Sequence, residues 1–172
     1  MEKFTLVNNR IITDNNKVLI QANNLNQLQE LTSLLNDMQK KLDFDKAGCY
    51  SNYKLSEDFP KQKWNLIFID VNNLKIVNDS HGHNRGDALL EKVATHLKKY
   101  GNVYRQGGDE FVLLYEDDTT TLKFEKENKH NNLFSYGIAH KNEYETISEA
   151  FHLADKRMYQ KKKTHKEPTI EY

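Results

Sequence analysis

Hydrophobic residues fall along this chain in short runs separated by polar stretches, and the spacing within each run predicts the element it forms. Between Phe4 and Ile20, FTLV and KVLI are strand-like runs around a polar stretch with Asp14, Asn15 and Asn16 at a turn, which predicts a small hairpin. From about Asn24 to Phe44 the apolar positions Leu28, Leu31, Leu35, Met38 and Leu42 are spaced 3, 4, 3, 4. That is the seam spacing of a short coiled coil, and a helix packed on its own domain gives the same stripe. Beyond Pro60, WNLIFIDV is an apolar run of strand length with one carboxylate near its end, and it predicts a buried central strand. Residues Asp87 to Tyr100 place Leu89, Leu90, Val93, Ala94 and Leu97 on one helical face, with Asp87 as the expected N-cap. NVYRQGGDEFVLLY then predicts a hairpin that turns at a Gly-Gly pair and carries Asp109 and Glu110 at its tip. After a polar, lysine-rich interval, LFSYGIA predicts a strand. A helix is expected from Ile147 to Lys162, with Ile147, Phe151, Ala154 and Met158 on one face, followed by a fraying lysine-rich tail.

Composition narrows the setting. At 172 residues the chain has room for one compact catalytic domain and a short accessory segment. A hydrophobic content of 37%, a charged content of 29% and 18 aromatic residues (8 Phe, 9 Tyr, 1 Trp) supply a real core and exclude disorder throughout. Lys plus Arg and Asp plus Glu balance at 25 each, so no overall field draws the molecule to nucleic acid or an anionic membrane. A phosphate site must then be built locally. The single cysteine, Cys49, reads as a core thiol in a reducing compartment. No apolar run approaches the ~20 residues of a membrane span, and the opening MEKFTLVNNR lacks the apolar centre of a signal peptide, so a cytoplasmic location is expected.

The candidate chemistry lies in three carboxylates. Asp70 ends the central strand, and Asp109 and Glu110 sit at the glycine turn, so strands paired in one sheet would bring the acids together. Hard oxygen ligands with positions left for phosphate oxygens suit Mg²⁺ or Mn²⁺ and predict phosphoryl or nucleotidyl transfer. Gly107 and Gly108 fit the same picture, because a side chain there would obstruct a phosphate lying against backbone N–H groups. The plainer reading is a strand-end acid and an acidic turn, both common. His81 and His83 are too weak a pair to indicate zinc.

RQGGDEF, from Arg105 to Phe111, resembles the name-giving motif of the GGDEF family of diguanylate cyclases. Upstream, FIDVNNLKIVNDSHGHNRGD resembles that family's other diagnostic stretch, and SYGIA at Ser135–Ala139 and ADKRMYQKK at Ala154–Lys162 resemble its later blocks in the right order. The similarity runs from about residue 60 to residue 166. It implies an α+β sandwich, a central, mostly antiparallel sheet flanked by helices like that of nucleotide cyclases and polymerase palms. It also implies that two GTP are condensed into cyclic di-GMP, with pyrophosphate released, across a homodimer. Asp70, the Val71 carbonyl and Asp109 match the family's metal ligands, and Glu110 matches its second signature acid. Lys75, Lys162 and Lys166 match triphosphate contacts, Asn78 and Asp87 the guanine readers, and Leu74 and Leu90 the apolar contacts to the base. A carboxylate at Asp87 accepts from guanine's adjacent N1–H and N2 amino donors, whereas adenine offers an acceptor at N1, so GTP is favoured over ATP.

The chain departs from the family's pattern in four places. DFDKAGCYSNY, residues 43–53, only weakly resembles the opening motif that shapes the pocket. Lys98, Lys99, Tyr100 and Gly101 stand where the product-inhibition motif RxxD would be, which predicts no feedback through that site. Phe111 and Ser135 are separated by 23 residues, fewer than the family usually has, which predicts that a helix, or a helix and a strand, are shortened or missing. Lys166 replaces the usual arginine after the last helix. The expected organisation is an N-terminal hairpin and helix over residues 1–44, a catalytic domain over 45–166 and a tail over 167–172. Two other readings remain at this level: a related cyclase of the kind in CRISPR type III effectors that joins adenylates, and a catalytically silent module that binds nucleotide.

Overall fold

The computed structural model describes residues 4–7, 10–13, 18–21 and 24–164, and it divides into two compact units, Met1–Phe44 and Asp45–Tyr172. In the first unit β1 (Phe4–Val7), β2 (Arg10–Thr13) and β3 (Val18–Gln21) form an antiparallel sheet in that order. The expected hairpin is therefore a three-stranded sheet, because RIIT, with only two apolar residues between Arg10 and Thr13, is itself a strand that buries Ile11 and Thr13. The expected turn at residues 14–16 lies outside the described residues. Helix α1 (Leu25–Asp43) starts at Asn24, whose side chain accepts the Gln27 N–H, and carries Lys40 and Lys41 in its last turn, where cations suit the helix dipole. Of the predicted seam, Leu28 is buried and Leu31 and Leu35 are half-buried, whereas Met38 and Leu42 are 53% and 50% exposed.

The second unit opens with β4 (Tyr50–Ser51), α2 (Asn52–Asp58) and a short 3₁₀ turn (Phe59–Lys61), then β5 (Asn65–Val71), α3 (Leu74–His81) and α4 (His83–Leu97). The hairpin β6 (Asn102–Gly107) and β7 (Glu110–Tyr115) follows, then α5 (Asp118–Asn128), β8 (Phe134–Ala139) and α6 (Ile147–Thr164). The sheet order is β4-β6-β7-β5-β8, antiparallel throughout except for β4 beside β6, so the fold is the α+β sandwich expected from the sequence. Strand β5 is covered on both faces, which explains its unbroken apolar run. Ile67, Ile69 and Val71 pack with Leu90, Val93 and Leu97 of α4 and Phe124 of α5. Leu66 and Phe68 pack on the opposite side with Leu55, Ala150, Ala154 and Met158.

Three local expectations change. The helix expected from Asp87 begins at His83, and Gly82, at φ +80, is both the C-cap of α3 and the N-cap of α4. Asp87 thus lies one turn inside α4, exposed, and is not its cap. Helix α3 itself was hidden, because LKIVNDSH has no fully buried residue to set a clear stripe. The polar interval after β7 contains α5, capped by Asp117, which takes the Thr119 N–H at 2.7 Å, and anchored by buried Thr121, Phe124 and Asn128. Among the described residues no helix is long and apolar enough to cross a membrane. Cys49 is buried, and burial pushes its thiol up to about 11, in keeping with a core thiol.

Candidate active site

Strand register brings two of the three candidate acids together. Asp70 of β5 lies directly opposite Glu110 of β7, and residues opposed in an antiparallel pair project from the same face of the sheet. That face is the one α6 covers, and Lys162 of α6 places its Nζ 2.7 Å from Asp70 Oδ1. Asp109 sits in the turn, and its backbone carbonyl accepts the Val71 N–H at 2.9 Å. Burial, then the carboxylates of Asp109, Asp70 and Asp155, push the Glu110 carboxyl above its ordinary value, while the Lys162 ammonium pulls it back. Asp155, one helical face with Lys162 on α6, is a member of this acidic field that sequence reasoning missed.

Among the described residues no three His, Cys, Asp or Glu side chains converge as a ready-made metal cluster. A magnesium-type ion needs only one or two protein carboxylates when phosphate oxygens complete its shell. The Asp70 and Glu110 pair supplies hard oxygens whose mutual repulsion a divalent cation would relieve, so the donor set fits such an ion.

The glycine turn is open and firmly held. Gly108 has φ +43, a conformation that favours glycine, and a Cβ at either Gly107 or Gly108 would meet nothing within 4 Å. Arg105 donates from Nε and Nη2 to the Gly108 carbonyl at 3.1 and 2.6 Å, and from Nη1 to Asp45 Oδ1 at 2.9 Å. Asp45 in turn accepts the Ala47 N–H at 2.8 Å, which fixes the loop before β4. Asp45 was also missed; its only local sign was an Asx-type turn ahead of Gly48. Asp45→Ala should free Arg105 Nη1 and loosen the glycine turn, raising amide hydrogen exchange at residues 107–110 about tenfold, the equivalent of one charged hydrogen bond, with little change in Tm. Unchanged exchange would show that Arg105 holds the turn unaided.

The remaining candidates surround the end of β5. Asn72 is pinned towards β8 by its N–H to the Leu133 carbonyl at 2.9 Å and by Ser135 Oγ, which donates to its Oδ1 at 2.8 Å. Asn73, at φ +61, turns the chain into α3 and makes no side-chain cap, so Leu74 and Lys75 begin the helix with Lys75 exposed and Leu74 half-buried on the core. Asn78 faces α4 with its Oδ1 buried and without a hydrogen-bond partner, and Asp87 follows Gly86 on that helix. Leu90 is only 3% exposed and belongs to the core under this region. Lys166 lies outside the described residues. Hollows of about 270 and 340 Å³ lie elsewhere, lined by residues such as Glu125 and Arg157 or His96 and His130.

A sequence profile of the family described as diguanylate cyclase, GGDEF domain, matches residues 51–168. The probable diguanylate cyclase DgcI of Escherichia coli (strain K12) is 39% identical over 117 residues, 60% of this chain and 26% of that protein. Diguanylate cyclase DgcN of the same organism is 32% identical over 118 residues, 56% of this chain and 29% of that protein. The chain thus spans between a quarter and a third of the length of these relatives. The crystal structure of the coiled coil and GGDEF domain of DgcB from Caulobacter crescentus, in complex with c-di-GMP, aligns with a TM-score of 0.70 at 16% identity, over 81% of this chain and 90% of that one. Diguanylate cyclase SiaD from Pseudomonas aeruginosa, in complex with its activator SiaC, aligns with a TM-score of 0.59 at 21% identity, over 81% of this chain and 65% of that one.

Proposed function

The chain belongs to the GGDEF domain family of diguanylate cyclases, and from that premise we propose that it condenses two GTP into cyclic di-GMP with release of pyrophosphate. The observation that carries this reading is the in-register pair Asp70 and Glu110, flanked by Lys162 and by an open glycine turn. A bound Mg²⁺ or Mn²⁺, held by Asp70, Asp109, Glu110 and the Val71 carbonyl, would supply charge neutralisation at the triphosphate. Lys162 and Lys75 contact the phosphates, Lys166 is a third candidate by sequence, and the backbone of Gly107 and Gly108 lets a phosphate lie close. The N-terminus of α3, which lacks a side-chain cap, adds N–H groups that suit an anion.

Glu110, with its raised proton affinity, accepts the proton of the ribose 3′-hydroxyl. The 3′-oxygen bonds to the α-phosphorus of the facing nucleotide, the bond to the β-phosphate's bridging oxygen breaks, and pyrophosphate leaves. Asn78 and Asp87 read guanine, and Leu74 contacts the base over a core closed by Leu90. One domain holds one GTP, so closing a ring with two phosphodiester bonds takes two copies face to face. Leu34 and Met38 of α1, both about half exposed, offer an apolar face for that pairing. Incubation with GTP or ATP and Mg²⁺, followed by separation of products, tests the reading. Cyclic di-GMP and pyrophosphate are expected from GTP. Product from ATP alone, or tight GTP binding by a dimer with no pyrophosphate, would overturn it.

A further inference from the structure

Among the described residues Asn73 is the one residue other than glycine with a left-handed backbone, at φ +61. A side chain disfavours that conformation, asparagine less than most, so it persists where the surrounding contacts hold it. Here it turns the chain from β5 into α3 within a single residue. It also stands between two groups of the site: the Val71 carbonyl at the end of β5, and the first N–H groups of α3, which no side chain caps. The contacts that hold the turn belong to its neighbour. The Asn72 N–H donates to the Leu133 carbonyl at 2.9 Å, its Nδ2 donates to the Asn132 carbonyl at 3.2 Å, and its Oδ1 accepts from Ser135 Oγ at 2.8 Å. A carbonyl can only accept, so Asn132 fixes which end of the carboxamide is the donor and leaves Oδ1 for the Ser135 hydroxyl. Ser135 lies opposite Asp70 on β5, and Asn72 is two residues further along, which gives the hydroxyl a diagonal reach across the pair of strands. The loop that receives Asn72 is itself anchored: the Leu133 N–H donates to Asn131 Oδ1 at 2.7 Å, and Asn131 Nδ2 donates at 3.1 Å to Oδ1 of Asn128, buried at the end of α5.

We infer that Ser135 is a positioning residue: its hydroxyl, through the Asn72 carboxamide, holds the left-handed turn that directs the Val71 carbonyl and the N-terminus of α3 to one metal-bound triphosphate. This rests on the reading of the site as a GTP site for the identity of the ligand. Ser135 acts through Asn72 and takes no part in the bond making; its strand partner Asp70 is engaged by Lys162 instead.

The test compares wild type with Ser135→Ala, Ser135→Thr, Asn72→Ala and the Ser135→Ala, Asn72→Ala double variant. The N–H groups of Asn72 and Val77 bond to the Leu133 and Asn73 carbonyls on either side of the left-handed residue. Their hydrogen exchange, followed by NMR without nucleotide, should quicken about fivefold in Ser135→Ala, the equivalent of one neutral hydrogen bond, with residues 66–69 of β5 unchanged. The Mg²⁺ concentration that half-saturates GTP turnover should rise by a similar factor, with kcat retained at saturating Mg²⁺ and GTP. Ser135→Thr, which keeps the hydroxyl, should restore both. In the Asn72→Ala background, Ser135→Ala should change neither further, because the bond it removes is already gone. The inference would be overturned, and the GTP reading left standing, by unchanged exchange at positions 72 and 77, by exchange that rises equally along β5, or by a Ser135→Ala effect undiminished once residue 72 is alanine. A wild type that neither binds GTP nor turns it over would overturn the GTP reading, and the role toward the triphosphate with it.

Discussion

Asp70→Ala is expected to give a protein that unfolds within a few degrees of wild type and has lost turnover of GTP by on the order of a thousandfold. The two halves of that result have separate causes. Asp70 is partly exposed, its carboxylate pairs with a Lys162 that is also partly exposed, and surface pairs of this kind add little to stability. The strand beneath is held by other means: Ile69 and Val71 are buried on one face, and β5 is paired with β7 and β8 along its length. In the proposed reaction Asp70 serves in three ways at once. It is the acid opposite Glu110, the hard oxygen on β5 nearest the glycine turn, and the counter-ion that steadies Lys162. Removing it leaves Glu110 without its opposed carboxylate and releases the lysine from its seat. Pyrophosphate release at saturating GTP, with thermal unfolding as the control, measures both halves. A folded variant that keeps a tenth of the wild-type rate would show that Asp70 is a surface ion-pair partner and that the carboxylate pair is not the catalytic core.

Much of this arrangement was legible in the sequence because it rests on local patterns. WNLIFIDV announces β5, since a strand covered on both faces needs an unbroken apolar run, and the Gly-Gly pair announces a turn that requires Gly108's positive φ. The stripe through Ala154 and Met158 announces α6. What stayed hidden depends on partners distant in the chain. Asp45 gains its role from Arg105, 60 positions away, and Asp155 becomes part of the acidic field only when α6 lies over β5 and β7. Helix α5 looked like a polar interval because its buried face is a threonine, a phenylalanine and an asparagine, of which only Phe124 registers as apolar. The start of α4 was misplaced because Asp87 is a good cap by type, while the chain turns at Gly82, whose backbone conformation no neighbouring side chain signals.

Gly137→Ala should be the most destabilising single methyl in the second unit, costing about 3 kcal/mol or more and lowering Tm by roughly ten degrees. Elsewhere in a strand alanine would be an improvement on glycine. At Gly137 a Cβ would lie 1.9 Å from the Ala154 carbonyl oxygen and 2.6 Å from the Met158 nitrogen, and both are backbone atoms of α6 that cannot swing aside. The strand cannot retreat either, because β8 is held to β5 with Gly137 opposite Phe68, whose ring packs edge-on against Phe151 of the same helix. Helix α6 is tied down on that strand: Arg157 donates to the Ile138 carbonyl at 2.7 Å and forks onto Glu143, and the Lys161 ammonium lies 4.1 Å from the Tyr136 ring centre. A methyl must lift the helix against all of these contacts and open the packing of Ala150, Ala154 and Met158. Lys162 lies one turn beyond Met158, so the same lift draws its Nζ away from Asp70. The variant should therefore lose affinity for the triphosphate even at temperatures where it stays folded, read as a raised KM for GTP together with the lowered Tm. A destabilisation below about 1 kcal/mol would mean that α6 yields to a methyl, and its close seat on β8 would then not be what positions Lys162.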